Sequence, residues 1–344
     1  VRWKLALILV ITTLCIGWVV FQVDNWPVLI DGLKSANYAW VAPVFLVYLT
    51  NHCIRSVRLR MLLDRPDIPF RDMFAITTVG FLAINVVPLR LGEFVRPYLL
   101  MERHDVNFGA SLAAIVVERL VDLICLMILL LMVAALVEFP ESGLSVQGVE
   151  GIDQFDPLAV GQKVVGVGIG GGVMFLVALA AVGKPMIALV VRLIPFESVR
   201  GKVERLLTSF YDGLIGLIRR PGQGALVVLM SVTMWAGIVA ATWSVMKGFD
   251  GVPASFETAL TTWTVTITGM TLAPTPGFFG SYEAFCMAAL SLWDVDQNLG
   301  LAFAGTLHLT QFLFIVGLGA IFLIKEGLSL RNVVESSREA MKGA

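Results

Sequence analysis

The stretch PLRLGEFVRP, Pro88 to Pro97, decides how this chain is read. It sets Arg90, Glu93 and Arg96 between the apolar segment AITTVGFLAINVV (75–87) and a Leu/Ile/Val-rich run that starts at Leu112. Pro88 removes a helical donor and clashes with the preceding turn, and Gly92 permits a tight reversal. The pattern therefore predicts a broken helix carrying charge, flanked by segments of membrane length.

The rest of the chain makes the membrane reading firm. Hydrophobic residues form 57% of the sequence, charged residues 15%, and mean hydropathy is +0.84. A soluble domain is nearer half apolar and a quarter charged. Several runs reach the roughly 20 apolar residues that a spanning helix needs. They are continuous and not alternating, which excludes a β-barrel. Six complete spans are expected at about 5–23, 39–54, 109–137, 159–183, 225–247 and 299–324. The first is read as a retained span and not a signal peptide, because it is long and no small-residue cleavage site follows.

Charge orients these spans. Arg2 and Lys4, the group Arg55, Arg58, Arg60, Arg65 and Arg71, the group from Lys184 to Arg220, and the tail from Lys325 to Lys342 fall on one side. The opposite connections carry Asp24, Asp31, Glu138, Glu141, Glu150, Asp153, Asp156 and Asp250, with only Lys34, Lys163 and Lys247 as basic residues. Positive-inside bias puts both termini in the cytoplasm. The segment 186–196, MIALVVRLIPF, reads either as an amphipathic surface helix or as an extension of span four. The basic residues are scattered without interleaved aromatics, so no nucleic acid partner is expected.

A second broken segment runs from about Phe256 to Trp293, interrupted by PTPGFFGSYE (274–283). The first runs from about 70 to 103. Treated as re-entrant hairpins, both preserve the charge count; treated as spans, both destroy it. The chain then divides at the acidic external linker 138–158 into two halves, 1–137 and 159–344, each with the plan span, span, hairpin, span. The fold class expected is an all-α polytopic membrane protein with six transmembrane helices and two re-entrant helical hairpins arranged as an inverted repeat. Pro88 and Gly92 stand four apart, as do Pro276 and Gly280, and Glu93 and Glu283 follow the two turns. Irregular backbone is tolerated within a bilayer only inside protein or beside an aqueous cavity. Paired interruptions in opposed halves are the sequence pointer to a transporter's midplane site.

Span three carries Glu118, Arg119 and Asp122, 11 to 15 residues past Asn107. At 1.5 Å per residue this is roughly 16–22 Å along the helix, near the midplane. Charge there costs at least about 2.5–3.5 kcal/mol each on insertion scales, so partners are required. Arg90, Glu93 and Arg96 are the candidates. Two readings stay open: an ion network that pins the hairpin, or the lining of a head-group path. Glu283 reads as a helix cap, and His308 as a packing residue or a proton relay. Cys15, Cys53, Cys125 and Cys286 lie in apolar segments without metal or redox spacing. No cofactor or metal is expected.

Three motifs now carry a resemblance. Pro88, Arg90, Gly92 and Glu93 form P-x-R-x-G-E; Glu118, Arg119 and Asp122 form E-R-x-x-D; Pro274, Pro276, Gly277, Gly280 and Glu283 form P-x-P-G-x-x-G-x-x-E. In this order the chain resembles the lysylphosphatidylglycerol synthase transmembrane, flippase-like family over roughly 5–325. Members often carry a second Gly after P-x-P-G, where this chain has Phe278. The resemblance implies lipid handling: in the fused aminoacyl-phosphatidylglycerol synthases such a domain flips the modified lipid. No counterpart of their cytosolic transferase domain is present in the sequence. The expectation is a lipid flippase of a prokaryotic inner membrane, not an enzyme, whose head-group contacts are Arg90, Glu93, Arg96, Glu118, Arg119, Asp122 and Glu283. Expected partners are membrane lipids and a possible lipid-modifying enzyme. The alternatives are a membrane-embedded enzyme, using Glu93, Glu118, Asp122 and Glu283 as acids and bases, and a scaffold for a separate synthase.

Overall fold

The computed structural model describes residues 17, 23–87, 92–137, 174, 178–179, 181–194, 197–272 and 275–343. The expected spans at 5–23 and 159–183, the linker 138–158, and the turn residues Pro88, Arg90 and Pro274 lie outside this set, apart from isolated positions. Among the described residues every regular element is helical. In chain order they are α1 (Trp26–Ser35), α2 (Ala42–Leu62), α3 (Phe70–Val86), α4 (Val95–His104), α5 (Phe108–Leu136), α6 (Lys184–Arg192), α7 (Glu197–Arg219), α8 (Pro221–Met246), α9 (Phe256–Leu272), α10 (Ser281–Ser291), α11 (Gln297–Lys325) and α12 (Leu330–Gly343).

Three of these are long and apolar enough to cross a membrane: α5, α8 and α11. Their outward faces carry exposed Leu131, Leu136, Leu229, Val232, Leu313 and Ile324, a surface suited to lipid contact and costly in water. Local chemistry sets the ends. Asn107 caps α5 by accepting from the Ala110 amide at 3.1 Å, and Asp296 caps α11 by accepting from Asn298 and Leu299. Asp105, in the left-handed region at φ 50°, closes α4.

The two interrupted segments fold as helical hairpins. In the first, α3 packs against α4; in the second, α9 packs against α10. Gly92 makes the first turn possible, because a Cβ there would overlap the backbone of Ala83 and Ile84 on α3. Gly277 occupies the left-handed region at φ 60° in the short 3-10 turn Pro276–Phe278, and Gly280 follows at φ 84°. That second turn packs on α3, so the two hairpins meet. The long helix α11 lies against α3, α10 and α1, and joins the hairpins to the rest of the bundle. Three threonines of α9 close on their own helix: Thr266, Thr268 and Thr271 each donate to the carbonyl four residues earlier.

Two features differ in extent from the sequence reading. The second apolar run does not end near 54; α2 continues to Leu62 and takes Arg55, Arg58 and Arg60 into the helix. The segment after Gly183 (φ 70°) forms a separate short helix, α6, packed on the longer α7. α7 in turn packs on α5 and α8.

Candidate functional site

A buried ion network sits where α2, α4 and α5 converge. Glu118 on α5 is fully buried, and both its oxygens are used. Arg58 Nη2 donates to Oε1 at 2.9 Å, Arg119 Nη2 to Oε1 at 3.1 Å, and Arg96 Nη1 to Oε2 at 3.0 Å. Asp122, one turn on, accepts from Arg58 Nη1 at 2.6 Å and from Nη2 at 3.1 Å. Arg58 Nη1 also donates to Ser231 Oγ on α8 at 2.6 Å, and the Ser231 hydroxyl in turn donates a hydrogen bond to the Val227 carbonyl. Arg58 thus ties α2 to α5 and α8, while Arg96 ties the first hairpin to α5. Both guanidinium groups are fully buried. Charges in a low-dielectric interior need close pairing, which the two-point Arg58–Asp122 contact and the Arg96–Glu118 contact supply, although Arg58 Nε, Arg96 Nε and Arg96 Nη2 find no partner among the described residues.

Arg55 and Arg119 behave differently. Arg55 Nη1 stands 3.8 Å from Glu118 and 3.7 Å from Asp122, too far for a hydrogen bond to either. Its guanidinium lies over the Phe81 ring, 4.8 Å from the centroid. The Arg119 side chain is 41% exposed. Both line a cavity of about 420 Å³. Glu93 from the first hairpin and Phe278 from the second lie on its wall, together with Asp122, Asn51, Trp235 and Trp263. The volume falls within the range of small-molecule sites.

The second hairpin is locked from α11. His308 Nδ1 lies 2.6 Å from Glu283 Oε1, and Nε2 lies 3.0 Å from the Gly277 carbonyl. Glu283 Oε2 accepts from the Gly280 amide at 2.7 Å, and the Tyr282 ring stacks on the imidazole at 4.4 Å. Both ring nitrogens face acceptor oxygens. The arrangement therefore holds a proton on each ring nitrogen, or one on the ring and one on Glu283.

The residues expected from sequence thus separate by place. Glu93, Arg119 and Asp122 line the cavity. Arg96 and Glu118 are buried in the network beside it. Glu283 caps the second turn with Gly280, and Pro276 and Gly277 form that turn. Gly92 forms the first turn; Arg90, Pro88 and Pro274 lie outside the described residues. Sequence reasoning missed Arg55, Arg58, Asn51 and the two tryptophans. A signal was present for three of them: Asn51, Arg55 and Arg58 repeat at intervals of four and three, which puts them on one helical face.

Residues 3–319 match the lysylphosphatidylglycerol synthase TM region family. The chain belongs to that family. A relative of this lysylphosphatidylglycerol synthase transmembrane chain is glycosyltransferase AglD of Haloferax volcanii, 28% identical over 121 residues. The match spans 34% of this chain and 19% of AglD. No solved structure matches the chain.

Proposed function

We propose that this lysylphosphatidylglycerol synthase transmembrane chain is a lipid flippase, not an enzyme, of a prokaryotic inner membrane. One observation carries the reading: two helical hairpins meet beside a charged cavity lined by Glu93 of one and Phe278 of the other. On this reading the hairpins are re-entrant, six helices span the bilayer, and both termini are cytoplasmic. A head group passes through the cavity while acyl chains stay in the bilayer. Arg55, Arg119, Asp122 and Glu93 contact the head group; Arg58, Arg96 and Glu118 hold those contacts in place. The His308–Glu283 lock keeps the second tip in position. Ion networks within membrane segments mark substrate paths, which supports this assignment.

The partial similarity to a protein named as a glycosyltransferase favours a second reading, in which the chain serves a sugar-transferring enzyme on a lipid substrate. Proteoliposomes separate the two. Leaflet redistribution of head-group-labelled lipids by the isolated protein, with no new lipid species by mass spectrometry, supports the flippase. A new lipid species, or activity only beside a co-purified enzyme, overturns it.

A further inference from the structure

The lock between α11 and the second turn needs a proton that a neutral histidine and an ionised glutamate do not supply. It has two contacts, His308 Nδ1 to Glu283 Oε1 at 2.6 Å and His308 Nε2 to the Gly277 carbonyl at 3.0 Å. Each needs a hydrogen between its heavy atoms. A neutral imidazole brings one, and a carboxylate brings none. We infer that His308, Glu283 and the Gly277 carbonyl form a buried proton-binding site. The closed turn holds one added proton, and opening of the turn releases it to water, leaving a neutral imidazole and a carboxylate.

Geometry fixes where that proton lies. Glu283 Oε2 already accepts from the Gly280 amide at 2.7 Å, so the proton sits along the Nδ1–Oε1 contact while Nε2–H points at Gly277. Without it, one of the two contacts sets lone pair against lone pair. Charge gives the same sign. His308 and Glu283 are both buried, and with the added proton the pair is neutral overall. Without it a carboxylate charge stands alone in an apolar interior, which is costly. The ring faces meet Tyr282, stacked at 4.4 Å, and Phe279 at 4.8 Å.

The surroundings leave the titration to this pair. Among the described residues, α10 brings Tyr282 and Cys286 beside Glu283, and α2 brings Tyr48, whose hydroxyl donates to Gln311 on α11 at 2.7 Å. These are phenols and a thiol, without charge near neutral pH. His52 of α2 bonds to its own helix at the Tyr48 carbonyl and rests on Phe314 of α11. Arg55 and Arg58 of α2 face Glu118 and Asp122. α3 has no titratable residue from Met73 to Val86, α8 has none at all, and Asp31 and Lys34 of α1 are exposed. Within the turn, Thr275 Oγ1 donates to the Phe279 carbonyl and Ser281 Oγ to the Phe278 carbonyl, contacts that carry no charge.

The turn is built to respond. Gly277 at φ 60° and Phe278 at φ 63° are consecutive left-handed residues, a strained backbone that the surrounding contacts must hold. Phe278 also stands on the cavity wall. Losing the Gly277 contact therefore frees the part of the wall that this hairpin supplies. Resting on the lipid-transport reading, tip opening and leaflet exchange are then linked to proton release.

The test follows hydrogen exchange across 276–283 in the purified full chain in detergent. Protection is taken relative to the intrinsic exchange rate at each pH, with α5 as the control within the same molecule. A hydrated imidazole gives up its proton near pH 6.5, so above about that pH the open turn holds one proton fewer than the closed one. The latch is therefore present in full below about pH 6.5 and weakens by up to about tenfold per unit as pH rises, until the closed site itself loses its proton. Wild-type protection of the turn should fall roughly twentyfold between about pH 6 and about pH 8, while that of α5 stays level. Glu283→Gln sets an amide N–H where the protonated carboxyl stands, and its oxygen still accepts from Gly280. Its turn should stay protected and level with pH. His308→Ala should exchange fast at both values. A wild-type turn as level as α5 would overturn the inference, and that result needs no variant. A Glu283→Gln turn as steep as the wild type would overturn the assignment to this pair. In proteoliposomes at the same two pH values, exchange should be faster at the higher one for the wild type and unchanged for Glu283→Gln. A pH-dependent turn with pH-independent exchange would leave the proton site standing and remove its link to transport. Absence of exchange under every condition would sink the transport reading alone.

Discussion

Replacing Arg58 with Met tests the ion network directly. The change removes four hydrogen bonds, to Glu118, twice to Asp122 and to Ser231, from a side chain with no exposed surface. Met retains an apolar stem of similar length, so packing is largely kept. What remains is a pair of buried carboxylates that have lost their principal cation. Removing one partner of a buried ion pair costs about 3–5 kcal/mol, far more than an exposed pair is worth. The half-buried Arg103–Glu326 pair, at 2.6 Å, is the internal control: Arg103→Met should cost about 1 kcal/mol or less. Unfolding in mixed micelles by SDS titration, read through tryptophan fluorescence, gives both values. Adding Asp122→Asn to Arg58→Met removes the stranded charge and should recover part of the loss, with a coupling of about 0.5–3 kcal/mol. A loss below about 1 kcal/mol for Arg58→Met, or strictly additive behaviour in the double variant, would refute the network as the structural anchor.

Further outcomes follow from the turns and loops. Gly92→Leu forces a side chain into the α3 backbone and should destabilise by about 1–3 kcal/mol or more, seen as a lowered melting temperature. Phe278 sits at φ 63°, where a non-Gly residue is strained by roughly 1–2 kcal/mol; Phe278→Gly should therefore be more stable than Phe278→Ala by about 1 kcal/mol in the same unfolding assay. His308→Ala frees the Gly277 carbonyl and the Glu283 carboxylate, so hydrogen exchange across 276–283 should speed up while α5 stays protected. In the α2–α3 loop, hydrogen bonds from Arg65 hold the exposed Asp67 carboxyl below its ordinary value of 3.8. That contact stabilises the fold above this value and is lost as pH falls through the depressed one. Asp67→Asn should therefore melt slightly below the wild type near neutral pH, and the two should converge in strong acid.

Composition and hydropathy reveal the helical membrane class, and Pro and Gly reveal where two segments break. Those are local signals, and both hairpins follow from them. Glu118, Arg119 and Asp122 are conspicuous because charge is rare in an apolar run. Arg55 and Arg58 are not, because they stand at the end of such a run, where basic residues also serve as interfacial anchors. Only the position of Glu118 and Asp122 across the bundle distinguishes a buried partner from an anchor, and that is tertiary information. Trp235 and Trp263 are hidden for the same reason: an aromatic residue in an apolar helix looks alike whether it faces lipid, core or cavity. Phe278 is the converse case. Its departure from the family pattern is visible in the sequence, and the left-handed backbone explains why Gly is usual there.

The claim most worth testing is that the cavity between the hairpins is the head-group path. Ile267 on α9 lines that cavity, and Ile267→Trp adds bulk there without replacing a charged residue. The measurement is the leaflet exchange rate of head-group-labelled phosphatidylglycerol in proteoliposomes, with wild type, Ile267→Trp and protein-free vesicles side by side. The account predicts accelerated exchange for the wild type and a protein-free rate for a well-folded Ile267→Trp. Wild-type exchange through the filled cavity would contradict it.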